Sequence, residues 1–574
     1  MYRFYFALLI LIAPCMAWPE TESLSAQTDP VTGLYDFIIN LQEDERSLYR
    51  FYAIRNSPER NERFTAFYND KLQELEAYSF QDMNVGGRVE YLLTKRDLQD
   101  RLYRLQSERD EYQQVAVYTH PGLPLYDLEK ERRRGKNLDG SEVARTLDQV
   151  SENFHAVSRQ LSSDDIKFKR SLAERAAGIV AGYNQALKSV FEFYQGYDPE
   201  FTWWVTQPYE NLTHQLDSLE IQFENAIDES TFPKDDGSGI IGSPIGRQEI
   251  IRRLELNMIP YTPEELVDIA MKEFEWCDRE LLKASREMGF GDDWKAAQEK
   301  VKMSFVPPGQ QPEAMLDLYN QSVSFLKEHD LLTIPPLAEE TWRMRMIEPE
   351  RQKISPFFLG GEVLQISYPT DEMDHDDKLM SMRGNNPHFS RATVHHELIA
   401  GHHLQQYVNN RNHPYRNFRT PFWTEGWALY WELLLWDKEF PRGPEDKIGM
   451  LFWRMHRCAR IIFSLNYHLG EWTPQQCIDY LVDRVGHERA NAEGEVRRSF
   501  TGNYGPLYQI AYMVGGLQFR ALKEELVDSG KMTFKQFHDA VLEENAMPVE
   551  MVRAILTDQE LKEDFKTQWR FYNK

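Results

Sequence analysis

The segment Pro421-Phe-Trp-Thr-Glu-Gly-Trp-Ala-Leu-Tyr-Trp-Glu-Leu-Leu-Leu-Trp436 is apolar on nearly every face of a helix, and such a helix has to be interior. Its only charged residues are Glu425 and Glu432, and it contains no basic residue to pair with either. Seven residues apart, the two carboxylates point the same way. A buried carboxylate without a partner costs several kcal/mol or takes up a proton. A metal, a histidine or an arginine from elsewhere in the chain must therefore face them.

An interior helix needs others around it, and the remaining periodicity supplies them. Helical runs cover roughly 40–110, 142–197, 311–329, 445–470, 533–545 and 548–564. Thr262-Pro263-Glu264-Glu265 opens another, with Thr262 as N-cap, Pro263 at the first helical position and Glu265 placed to close a capping box. Gly361-Glu-Val-Leu-Gln-Ile-Ser-Tyr-Pro369 is the best strand candidate. The expected fold is mainly α with a small β element, and 574 residues, too many for one small core, imply either two domains or one large two-lobed unit. Phe232 to Gly246 reads as a glycine-rich surface or cleft-lining loop without a phosphate-binding G-x-x-x-x-G-K-[ST] pattern. Asp371 to Asp377 reads as a solvated acidic loop.

The net charge of −25 argues against nucleic acid or an anionic membrane surface as a partner. Residues 1–17, with a basic start, a short apolar run and a small-residue end, form the pattern of a secretory signal peptide. An exported, periplasmic or secreted protein without a membrane-spanning segment is expected, with residues 18–574 as its helical domain and the site helices at about 389–440. A lipid anchor at Cys15 fits less well, because Pro14 precedes it where a small residue is usual. The remaining Cys277, Cys458 and Cys477 are too few for a cysteine-based zinc site, although a Cys458–Cys477 bridge is compatible with an oxidising compartment. Any metal must be held by His, Glu or Asp.

The histidines lie upstream, in Val394-His-His-Glu-Leu-Ile-Ala-Gly-His-His-Leu-Gln-Gln406. On a straight helix His396 and His402 would sit on faces about 120° apart. The pairs His395/His402 and His396/His403 share a face but lie roughly 10 Å apart along the axis. Neither arrangement closes on one ion. A break or bulge at Ala400-Gly401 would bring His402 back toward His396.

Together, H-E-L-I-A-G-H-H-L-Q and T-E-G-W-A-L-Y-W-E resemble the bacterial family catalogued as domain of unknown function 885, whose pattern is H-E-x-x-P-G-H-x-x-Q followed by E-G-W-A-L-Y-x-E. The second segment also looks like the N-E-G-F-A-x-Y-x-E of gluzincin aminopeptidases. The resemblance extends to I-G-R-Q-E-I-I-R-R-L-E-L and Y-T-P-E-E-L near 245–266, to H-L-G-E-W-T-P-Q-Q from His468, and to A-Y-M-V-G-G at 511–516. It implies a large two-lobed helical metallopeptidase-like fold with a deep cleft, and an exported, gluzincin-like zinc metallopeptidase that cleaves peptides with a Glu-activated, zinc-bound water. One zinc would be held by His396, His402 and Glu425, with Glu397 as general base. Tyr512 matches the late A-Y tyrosine and is the candidate oxyanion donor, with Tyr508 and Tyr504 as rivals, and His468 is a candidate substrate contact. Glu432 would hold a ligand histidine, with direct ligation of the metal as the alternative. This chain departs from the family pattern at Ala400, at Pro506-Leu-Tyr508 in place of P-G-Q, and at Ser464 in place of aspartate.

His395 and His403 read as packing residues or partners of the ligands, and His375, His388 and His413 as surface residues. A di-iron protein would need two E-x-x-H motifs, and only Glu372-Met-Asp-His375 fits. The alternative function is a non-catalytic helical peptide-binding protein that retains the fold. Oligomeric state, and an exo- or endopeptidase mode, have no signature in the sequence.

Overall fold

A computed structural model describes residues 33–162, 166–228, 230, 234–352, 357, 360–502 and 504–572. The expected signal segment 1–17 lies outside the described residues. The chain is mainly helical, with one two-stranded parallel sheet in which β1 (Arg343–Met346) pairs with β2 (Val363–Ile366), Arg343 lying opposite Val363. β2 falls inside the expected strand. β1, Arg-Met-Arg-Met, alternates over only four residues and is largely exposed, with Met344 alone packed against the core, so its pattern is too short to stand out in the sequence.

Two separate buried clusters organise the helices. One joins Gly140–Leu161, Arg170–Tyr194 and Pro199–Asn225; the other contains the candidate site. No described helix is long and apolar enough to cross a membrane. Seven helices of the second cluster carry the site or pack against the helices that do: α1 (Pro263–Glu287), α2 (Pro387–Glu397), α3 (His402–Asn409), α4 (Pro421–Asp437), α5 (Pro444–His468), α6 (Arg489–Phe500) and α7 (Tyr508–Lys523). α1 starts on the expected capping box of Thr262 and Glu265, with Pro263 at its first turn.

α4 is the buried helix that its composition demands. Trp423, Trp427 and Trp431 lie fully inside, four residues apart along one stripe. α7 crosses α4 at Gly426 and Gly515, where a Cβ on Gly426 would stand 2.5 Å from Gly515 Cα and one on Gly515 would collide with Phe422 O. Side chains at these two positions would hold the backbones apart, so the two glycines set how near α7 brings its tyrosines to Glu425. α5 closes on α2 in the same way: Gly449 meets the His388 carbonyl, and Trp453 Nε1 donates to Phe389 O at 3.0 Å.

Several expectations are corrected. The run 40–110 is three helices, Tyr35–Phe51, Pro58–Glu76 and Val85–Thr119, the last two capped by Ser57 and Asn84. The run 548–564 stops at Leu556, after which Asp558 takes φ +48°, which no helix continues. Asp376 and Asp377 belong to the first turn of a helix, His375–Gly384, where acidic side chains complement the helix dipole. All three described cysteines are free and buried; the neighbour of Cys458 is Cys277 across α1, while Cys477 Sγ lies 3.7 Å from Phe463 O, so Cys458 and Cys477 form no bridge.

Candidate metal centre

The helix carrying the first histidines ends at Glu397. Leu398 leaves helical geometry at φ −109°, ψ −110°, and Gly401 at φ −85°, ψ −131° precedes the next helix. The Ile399–Ala400 peptide is cis. A Cβ on residue 401 would collide with His396 O, so glycine alone fits this turn. Trp427 of α4 pins it by donating from Nε1 to Ala400 O at 2.8 Å. The break therefore spans Leu398–Gly401 and brings the His396 and His402 rings to 4.9 Å between centroids.

Glu425 lies where the two imidazoles converge. Its Oε2 is 3.5 Å from His396 Nε2 and 3.2 Å from His402 Nε2, and one ligand atom from each of the three residues lies within 4.8 Å of the others. The Gln405 amide nitrogen, bonded to Thr424 O at 3.0 Å, stands 3.0 Å from His402 Nδ1 and orients that ring. Glu432 stands 2.7 Å from His396 Nδ1, which leaves the His396 Nε2 edge facing Glu425. Burial alone would lower the His396 imidazole, but the adjacent carboxylates of Glu425 and Glu432 outweigh that and raise it to about 9. Burial would also raise Glu425, yet the two imidazoles hold it well below the usual carboxylate range.

The donor set fits a metal. Two imidazole nitrogens and one carboxylate oxygen meet in a buried place, Glu425 Oε2 receives no hydrogen bond among the described residues, and a cavity of about 250 Å³ opens beside them. Two histidines, one glutamate and an open side are a donor set that zinc accepts. Among the described residues this is the one His/Cys/Asp/Glu group so arranged.

Glu397 ends α2, is partly exposed and lines the same cavity. Burial raises its carboxyl, against the pull of His396 and His402. Gly361 N donates to Glu397 O at 3.1 Å, and a Cβ on Gly360 would collide with the Glu397 carboxylate. The glycine pair thus lets the backbone pass directly over this side chain.

The tyrosines divide. Tyr508 donates from its hydroxyl to Glu425 Oε1, and Tyr504 stacks on Tyr508 at 4.3 Å. Tyr512 lies nearly parallel to the His396 ring at 6.0 Å and lines the cavity. His468 does not line the cavity: it is buried near Tyr467 and Phe500, and burial lowers its imidazole to about 4. His395 packs edge-on against Phe440, and burial lowers it to about 3. His403 Nε2 lies 2.7 Å from Ala338 O. His375 is exposed and His413 partly so, but His388 is a half-buried partner of Asp446 at 2.7 Å, because α5 covers the start of α2.

Sequence reasoning missed three arginines of the cavity wall, Arg457 and Arg460 on α5 and Arg498 on α6. Arg457 Nη2 donates to Glu432 Oε1 at 3.1 Å, and Arg460 Nε donates to Glu495 Oε1 at 2.7 Å. The available signal was the run Arg454, Arg457, Arg460 at helical spacing within an otherwise apolar segment, opposite carboxylates that need partners.

A family model described as bacterial protein of unknown function (DUF885) matches residues 54–556. The curated proteins contain no match. Among solved structures, the chain is similar to one from Shewanella oneidensis described as "a putative lipoprotein of unknown function", with TM-score 0.63 and 15% identity over 91% of this chain and 99% of that one. A second, described as "the putative lipoprotein from Colwellia psychrerythraea", gives TM-score 0.57 and 15% identity over 92% and 98%. At that identity the likeness concerns the fold alone.

Proposed function

The chain belongs to the bacterial family of unknown function DUF885, and we propose that it is an exported zinc-dependent peptidase. The observation that carries this reading is the convergence of His396 Nε2, His402 Nε2 and Glu425 Oε2 beside the carboxyl of Glu397 in one cavity. His396, His402 and Glu425 would hold the ion. When bound, zinc polarises a carbonyl oxygen as a Lewis acid and acidifies water.

The chain's own residues supply the remaining steps. Glu397, whose carboxyl is raised by burial and so holds a proton more readily than an exposed glutamate, takes the proton of the attacking water and delivers it to the leaving amine nitrogen. Tyr512 donates its hydroxyl to the carbonyl oxygen as negative charge develops there. Tyr508 is committed to Glu425 and holds that ligand in place. The cavity wall of Trp453, Phe357 and the tyrosines limits the water that reaches the reacting atoms. Export rests on the leader-like residues 1–17, and the description of the two solved neighbours as lipoproteins accords with it.

The test is metal analysis of the purified protein, together with digestion of a mixed peptide library read by mass spectrometry. One equivalent of zinc and discrete cleavage products are expected, both lost in His396→Ala, with cleavage alone lost in Glu397→Gln. A protein that binds no zinc, with peptide hydrolysis unchanged in His396→Ala, would sink the proposal. Peptide binding without cleavage in the zinc-loaded wild type would favour a binding protein instead.

A further inference from the structure

Arg457, Arg460 and Arg498 are 5%, 1% and 8% exposed along their side chains, yet all three reach the cavity wall. Their acidic partners are two. Glu432 takes Arg457 at 3.1 Å; Glu495 takes Arg460 Nε at 2.7 Å and Arg498 Nη2 at 2.5 Å, and also accepts from Gln509 Nε2 at 3.0 Å. Three guanidiniums therefore face two carboxylates, and arginine does not shed its proton. Glu425 and Glu397, the remaining acidic groups of the cavity, have the histidines and a divalent ion to balance them. His456 adds no anion: its Nδ1 is bonded to His487 at 2.8 Å, and its Nε2 lies 3.7 Å from Glu495.

One positive charge is thus left over in a dry place, and its hydrogen-bond donors are left over with it. Among the described residues Arg457 Nε, Arg460 Nη1 and Arg498 Nε have no acceptor. Aromatic faces soften this. Arg457 and Arg460 lie 4.6 and 4.2 Å from the Tyr512 ring, and Arg498 lies 5.5 Å from Tyr504. A ring face accepts no strong hydrogen bond, however, and a buried unpaired charge is costly. A planar carboxylate meets the need, because it brings one negative charge and two oxygens that match the guanidinium fork.

We propose that this end of the cavity is a carboxylate subsite that receives the C-terminal α-carboxylate of a short peptide. The inference rests on the peptidase reading for its substrate and on the arginines for its specificity. The Tyr512 ring lies near both groups, its centroid 6.0 Å from that of the His396 ring and 4.2 Å from the Arg460 guanidinium, so the two are close neighbours along the cavity wall. Since a residue spans at most about 3.6 Å, a peptide anchored there presents a bond one or two residues from its C-terminus to the His396/His402/Glu425 group. The enzyme would then release single residues or dipeptides from the C-terminal end.

The experiment compares short N-acetylated peptides with free or amidated C-termini, and amides with glutamate as the last residue, on the zinc-loaded full chain. Free acids are expected to be cleaved with at least tenfold higher kcat/KM, at one of the last two bonds. Arg460→Gln is expected to raise KM for the acids at least tenfold and to shrink the acid-over-amide ratio of kcat/KM at least tenfold. Arg498→Lys keeps the charge should the first variant not fold, and is expected to weaken the same preference. Equal cleavage of acids and plain amides overturns the proposal, as does equal use of glutamate-ended amides, which would assign the subsite to an acidic side chain. Calorimetric titration of the acid and the amide into zinc-loaded Glu397→Gln separates the two readings. If wild type cleaves nothing but this variant binds the acid at least tenfold tighter, the subsite stands without the peptidase; equal binding removes the subsite.

Discussion

Glu432 Oε1 lies 2.7 Å from His396 Nδ1, two helical turns along α4 from Glu425, which faces the other nitrogen of the same ring. The imidazole is therefore gripped at both edges by one helix. The same Glu432 oxygen accepts from Arg457 at 3.1 Å, so its charge is fixed in place as well.

A carboxylate behind a ligand histidine sets its tautomer and raises its basicity, and losing one costs typically about 10–100-fold in metal affinity. Glu432→Ala is expected to weaken zinc binding by about that factor, while Glu432→Gln, which retains an acceptor for Nδ1, weakens it less. Competition with a chromogenic chelator measures both. Unchanged affinity in Glu432→Ala would show that the grip on His396 contributes nothing.

The tyrosines separate by what each hydroxyl touches. Tyr512→Phe is expected to lower kcat by about 100-fold or more with little change in KM, as for loss of one oxyanion donor. Tyr508→Phe leaves Glu425 Oε1 without its donor and is expected to show first as weaker zinc binding. Steady-state kinetics with zinc titration decides between them; a larger kcat loss in Tyr508→Phe would move the oxyanion role to that residue.

The α4/α7 crossing has no room for a methyl group. Gly515→Ala places a Cβ against Phe422 O and Gly426 Cα, and backbone atoms give way poorly, so a loss of about 1–3 kcal/mol is expected. Gly505→Ala, whose Cβ meets nothing within 4 Å, serves as the neutral control. Thermal unfolding should show a lower Tm for the first variant alone, and equal Tm values would mean that the crossing is not tightly packed.

Acid sensitivity follows from a buried histidine that does not line the cavity. His538 Nδ1 lies 2.6 Å from Leu331 O and Nε2 lies 2.9 Å from Tyr430 Oη, and burial holds its imidazole down at about 3. In the unfolded chain the group titrates near 6.5. Between those values the unfolded state binds the extra proton, so stability falls as pH drops below about 6.5, by up to about 1.4 kcal/mol per pH unit for one group. His487, held at about 3, and His468, at about 4, act in the same direction. His538→Gln keeps polar partners for both neighbours and is expected to flatten the decline of Tm between pH 6.5 and 5; parallel curves would refute the assignment.

Local spacing made several features readable in advance. The cap at Thr262, the strand at Val363–Ile366 and the interior character of α4 each depend on residues a few positions apart. So does the break before His402, because two histidines six apart cannot otherwise reach one ion, and a glycine stands between them.

The sequence alone therefore determined a helical chain with a buried two-carboxylate helix and an interrupted histidine helix. Which groups face those carboxylates was decided by the tertiary structure. Tyr508 is 83 residues from Glu425, Arg457 is 25 from Glu432, and Arg460 and Arg498 meet on Glu495 from two different helices. Periodicity reports which face of a helix is buried, but it does not report which other helix covers that face. The same limit led to His468 being placed in the site: its helix is buried, and only the packing of Phe500 and Tyr467 around its ring turns it away from the cavity.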